Sequence, residues 1–164
     1  METTFFDKCM LELAANYAHT TMDIGQGGPF GAAVVKDGKL ITVASNSVLK
    51  DNDPTAHAEI NAIRNAGKIL GTYNLSGCEI YTTSEPCPMC MSAIIWANIK
   101  KVHISAMVED AEQIGFRDRF IYKYLADFVK GEICDGRVVS LYYHDRSIGQ
   151  NLFKEYSESN KTIY

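Results

Sequence analysis

No stretch of the 164 residues approaches the ~20 consecutive apolar side chains that a membrane-spanning helix requires. A membrane-embedded helical protein is therefore excluded. Positive charge is scarce as well. Sixteen Lys and Arg stand against 20 Asp and Glu, for a net charge of -4, and the only adjacent basic pair is Lys100–Lys101. A protein whose main partner is a polyanion needs a basic footprint, so nucleic acid is not expected as a partner. The opening METTFFDKCM has neither the basic segment nor the apolar core of a secretory leader. Nor is there a disulfide framework. The five cysteines are odd in number, Cys9, Cys78 and Cys134 are scattered, and only Cys87 and Cys90 are spaced as a pair. A reducing, cytoplasmic setting is the expectation. No repeat, linker or low-complexity tract interrupts the chain, so residues 1–164 are expected to form a single domain.

What remains is a globular composition, 46% hydrophobic and 22% charged, with clear periodicities. Residues 3–22 place Phe6, Cys9, Met10, Leu13, Ala14, Tyr17 and Ala18 at helical spacing. GQGGPFG (25–31) is a break. AAVVK and KLITVASN flank Asp37-Gly38, a favoured two-residue hairpin turn. DNDPTAHAEINAIRNAGKIL reads as a loop feeding a helix that stops at Gly71. Further strands are expected at 78–83, 101–106 and 137–144, and helices at 88–98, across 109–130 with an interruption near Gly115, and at the C-terminus. This order predicts a three-layer α/β/α sandwich around a five-stranded mixed sheet.

Two short stretches carry the chemistry. TAHAE (55–59) sets His57 two residues before Glu59. SEPCPMC (84–90) sets Cys87 and Cys90 three apart, with Pro88 suited to an early helical position. Thiols at i and i+3 of a helix start share a face, and the helix dipole favours their thiolates. Two thiolates and an imidazole make a three-ligand zinc site with the fourth position open to water, whose pKa zinc lowers toward ~7. No ligand-like pair elsewhere supplies a fourth donor; His19, His103, His144 and the other cysteines stand alone. A thioredoxin-type redox pair would sit earlier, in a βαβ context. His-x-Glu followed by Pro-Cys-x-x-Cys is the pattern of zinc deaminases, in which the Glu moves protons and does not ligate. Charge agrees with that division, because two thiolates already neutralise the dication. Glu59 is the expected acid/base, His57, Cys87 and Cys90 the expected ligands of one zinc ion per chain.

GGPFGAAVVKDG, NDPTAHAEINAIRNAGKILG, CEIYTTSEPCPMCMSAIIWA, IGFRDRFIY and a terminal Tyr resemble the guanine deaminase branch of the cytidine deaminase superfamily, over nearly the whole chain from Gly27 to Tyr164. The resemblance implies a cytidine-deaminase-like fold and hydrolysis of guanine to xanthine and ammonia, a step of purine salvage or catabolism. It implies that Asn46 holds the base, Phe30 stacks on it, Asp118 accepts its N–H donors and Tyr164 closes the pocket. It also implies a homodimer, domain-swapped, in which residues from about 147 to 164 reach the partner's site. Two positions depart from the pattern. Arg117 stands where relatives usually carry a second acid, so that Arg117 or Arg119 could pair with Asp118, and Ser84 stands where many carry Cys. Other amino-heterocycles (guanosine, ammeline, cytosine), a tRNA adenosine and a non-catalytic zinc scaffold are the alternatives.

Overall fold

A computed structural model describes residues 3–132, 136–159 and 161–162. Helix α1 (Phe5–Asp23) opens with a reciprocal cap: the Asp7 N–H donates to Thr4 Oγ1 at 3.1 Å, and the Thr4 N–H donates to Asp7 Oδ2 at 2.9 Å. Strands β1 (Gly31–Lys36) and β2 (Lys39–Ser45) form the expected hairpin. Asp37 and Gly38 both take positive φ, 50° and 70°, the backbone of a type I′ turn. A short helix α2 (Val48–Asp51) precedes α3 (Ala58–Leu70). Then come β3 (Cys78–Ser84), α4 (Pro88–Trp96) and β4 (Lys101–Ala106). The strand order is β2-β1-β3-β4, with β1 antiparallel to both neighbours and β3 parallel to β4. The mixed sheet is as expected.

Strand β1 lies inside the sheet and is covered on both faces, so Gly31–Val35 are all buried and show no polar alternation. Ala32 and Val34, with Ala44 and Ile80, face Ala58, Ala62 and Ala66 of α3 and Ile94 of α4. Ala33, Val35 and Tyr81 face Ala14 of α1. The result is helix, sheet, helices. The alanine stripe on α3 removes the bulk that would hold this helix away from the sheet, and so sets the depth at which the residues before it arrive.

The fifth strand expected at 137–144 is not there. Among the described residues the sheet has four strands, and 139–145 have no regular structure. Val138, Val139, Leu141, Tyr142 and Tyr143 are exposed. They supply β propensity without a ladder, and such propensity expresses itself only where a neighbouring strand and a packed face are available. Helices α5 (Val108–Gln113) and α6 (Arg119–Lys130) flank Gly115, as the interruption implied, and α7 (Arg146–Ser157) follows. The chain divides into two compact units, Met1–Ile121 and Tyr122–Tyr164. The first holds the sheet and α1–α5. Within the second, Tyr124 Oη donates to the Val139 carbonyl at 3.1 Å. Among the described residues no helix is long and apolar enough to cross a membrane.

Candidate active site

Two helix starts converge in the first unit. His57 is the N-cap of α3 and Cys87 that of α4; both are extended, and neither side chain caps its helix. Pro88 occupies the first helical position after Cys87, and Cys90 follows on the same turn. Both imidazole–thiol approaches are to His57 Nδ1, at 3.7 Å from Cys87 Sγ and 3.5 Å from Cys90 Sγ. With Zn–S about 2.3 Å and Zn–N about 2.0–2.1 Å, a tetrahedral centre has N···S edges of roughly 3.6 Å. The three donors, all within 4.8 Å of one another, therefore fit zinc without rearrangement. Among the described residues no other group of this kind is present.

Of the three donors, Cys87 alone leans toward the form a metal needs. The Cys87 thiol is pulled down to about 4 by a hydrogen bond from Cys90, with His57 adding to the effect. Cys90, donating that bond from a buried position, is pushed up. His57 is raised above its ordinary value, first by its hydrogen bond to Cys87. Glu59, in the first turn of α3, is only 6% exposed, and burial raises its carboxyl.

A cleft of about 440 Å³ opens onto this group, a size ordinary for a small-molecule site, and His57, Glu59, Cys87, Asn46, Phe30 and Asp118 all line it. Asn46, buried just beyond β2, accepts on Oδ1 from the Gly28 and Val48 N–H groups, each at 3.2 Å. Both partners are donors, which fixes the amide orientation and leaves Nδ2 as the group to address a ligand. Gly27 is required beside it: a Cβ there would stand 2.2 Å from the Asn46 carbonyl oxygen. Phe30 packs against the core and meets Phe116 edge-on, with centroids 4.8 Å apart at 83°. Asp118 is half-buried, and burial raises its carboxyl, the negative charge of Cys87 adding to the effect.

Seven of the eight expected site residues thus come together: His57, Cys87, Cys90, Glu59, Asn46, Phe30 and Asp118. The eighth, Tyr164, lies outside the described residues. Arg119 does not draw Asp118 away, because its guanidinium is engaged by Glu109 and Glu112; Arg117 is exposed. Ser84 lines the cleft. Sequence reasoning passed over Phe116, Glu85 and Leu49, which also line it. Phe116 stands in the IGFRDRFIY segment between Gly115 and Arg117, where no local pattern marks an aromatic as cleft-lining. Leu49 sits on α2, four residues too short to show a period.

A sandwich that brings three zinc donors to two helix starts, with a buried carboxylate beside them, has the framework of a zinc-dependent hydrolytic deaminase. Residues 5–106 match the profile of the cytidine and deoxycytidylate deaminase zinc-binding region, and the chain belongs to that family. It is 52% identical over 113 residues to guanine deaminase of Bacillus subtilis, spanning 69% of this chain and 72% of that protein. The crystal structure of guanine deaminase from the same organism superposes with a TM-score of 0.87 at 41% identity, covering 96% of this chain and 98% of the other. A tRNA-specific adenosine deaminase of Aquifex aeolicus is 45% identical over 97 residues, 59% of this chain and 64% of that protein.

Proposed function

We propose that this protein hydrolyses guanine to xanthine and ammonia, with one zinc ion held by His57, Cys87 and Cys90. The observation that carries the choice of guanine is the near full-length likeness to guanine deaminase, which extends through the α5–α6 segment bearing Asp118. Zinc bound to this donor set supplies Lewis acidity and a water of lowered pKa at its open position. Glu59 takes a proton from the water as its oxygen adds to the amino-bearing ring carbon, then delivers protons to the ring nitrogen and to the departing amine. Burial suits Glu59 to both directions, since a raised carboxyl takes up and returns a proton near neutrality more readily than an ordinary one. Asn46 Nδ2 donates to an acceptor on the ring edge. Asp118 accepts from the ring and exocyclic N–H groups of guanine, donors that adenine does not offer together. Phe30 presents a flat face to the ring. Water and guanine enter, xanthine and ammonia leave, and no redox partner is needed.

We also propose a homodimer in which residues 147–164 close the partner's cleft and Tyr164 reaches it, acting in purine metabolism in the cytoplasm. The resemblance to guanine deaminases supports the dimer. The free thiols of Cys9, Cys78, Cys87 and Cys90 suit a reducing compartment. The Aquifex relative favours a second reading, deamination of a tRNA adenosine; the net charge of -4 opposes it. Ammonia release measured side by side on guanine, guanosine, cytosine, adenine, ammeline and tRNA, with zinc determined on the same samples, separates the readings. Guanine is expected to be turned over fastest.

A further inference from the structure

The segment joining α5 to α6 carries two side chains into the cleft, Phe116 and Asp118, yet little of its own backbone holds it. Gly115 N–H donates to the Glu112 carbonyl at 3.0 Å and Phe116 N–H to the Ala111 carbonyl at 3.1 Å. Helix α5 has only six residues, too few to be stable alone. What closes the segment is Arg119, the first residue of α6. Its Nε donates to Glu112 Oε2 at 2.6 Å and its Nη2 to Glu109 Oε1 at 2.7 Å. Glu109 and Glu112 are three apart on α5 and so share a face. One planar guanidinium spans both, as a lysine ammonium cannot with equal geometry. Asp118, directly before Arg119, is thereby placed at the cleft wall with its carboxylate free of that guanidinium.

We infer that Arg119 is a positioning residue for substrate binding: by bridging Glu109 and Glu112 it ties the start of α6 back onto α5 and holds Asp118 and Phe116 at the cleft. The inference rests on the reading that Asp118 meets guanine. The bridge is exposed, so its contribution to global stability is small; its effect is on where one short segment sits. Glu59 and the zinc donors lie on α3 and α4 and do not depend on it.

The test uses zinc-loaded full-length protein with Arg119→Ala, Arg119→Lys and Glu112→Gln. Arg119→Ala is expected to raise the KM for guanine about three- to tenfold with kcat within about twofold and zinc content unchanged, an effect of the size of an exposed ion-pair network. Arg119→Lys should fall between. High salt should raise the wild-type KM and leave that of Arg119→Ala nearly unmoved. Amide exchange without substrate should quicken at residues 114–119 in Arg119→Ala and Glu112→Gln, and nowhere else. Unchanged exchange at 114–119, a wild-type KM in Arg119→Ala, or a loss spread over kcat, zinc and the whole exchange map would each overturn the inference. A wild-type protein that fails to deaminate guanine would instead overturn the functional reading, and the exchange measurement would still decide whether the tether exists.

Discussion

Asn46 is useful in the cleft because of what its other end is doing. Two backbone N–H groups, from Gly28 and Val48, hold Oδ1, so the side chain cannot swivel to offer its oxygen outward. It can only donate. Asn46→Asp keeps the acceptor and loses the donor, and is expected to lower kcat/KM for guanine about 5- to 150-fold, the cost of an unmet hydrogen bond of about 1–3 kcal/mol, while zinc content stays at that of the wild type. Steady-state kinetics with a zinc assay checks this; an unchanged kcat/KM would mean that Nδ2 does not touch the ring. The sequence allowed Asn46 to be named as base-holding through resemblance. Which half of the amide faces the ligand depends on two backbone groups, one 18 residues away, and no local pattern encodes that. The metal donors were more legible, because helix starts fix Cys87 and Cys90 by spacing alone and only His57 had to arrive from elsewhere. Phe116 was hidden for the opposite reason: a phenylalanine between glycine and arginine is silent until its edge is seen against Phe30.

At the scale of elements, α1 is anchored by one carboxylate with two duties. Asp7 completes the helix cap with Thr4 and accepts from Tyr81 Oη of β3 at 2.9 Å. Tyr81 in turn stacks on His103 of β4 at 4.1 Å and 5°, so the cap, the buried tyrosine and the edge strand form one joint. Hydrogen bonds from the Thr4 side chain and backbone and from Tyr81 hold the Asp7 carboxyl at about 2, below its ordinary 3.8. A depressed carboxyl stabilises the folded state above its unfolded pKa, and that contribution is lost as pH falls from about 4 through about 2. Asp7→Asn should therefore have a lower Tm than wild type at neutral pH, and the gap should narrow on acidification across this window. Parallel Tm profiles would show that Asp7 is not coupled to folding. The elements themselves were largely readable. The amphipathic period of α1, the Asp37-Gly38 turn and the Gly71 stop each appear where local chemistry put them. The strand at 137–144 did not form: Val138, Val139, Leu141, Tyr142 and Tyr143 carry β propensity, but whether a segment joins a ladder is settled by the rest of the fold. Helix α2 escaped notice because four residues carry no period.

At the scale of the whole molecule, three donors, one carboxylate and a cleft are assembled by residues before 122, and the proposed dimer adds the C-terminal segment. Helix α7 leaves Ile148, Leu152 and Phe153 exposed. Removing residues 147–164 is expected to raise KM or lower kcat for guanine while each chain keeps its zinc; unchanged kinetics would show that the segment closes no cleft. The sequence likeness to the Aquifex tRNA deaminase spans 59% of this chain, and the structural likeness to guanine deaminase 96%. Metal and acid/base chemistry are thus common to both readings, and substrate choice is where they part. The most direct measurement is ammonia release from guanine by the wild type and by Glu59→Gln at equal zinc content. Turnover by the wild type and a loss of about 10²- to 10⁴-fold in the variant are expected for a proton-moving carboxylate. Equal rates in the two proteins, or a wild type that deaminates a tRNA adenosine and leaves guanine untouched, would contradict the proposed function.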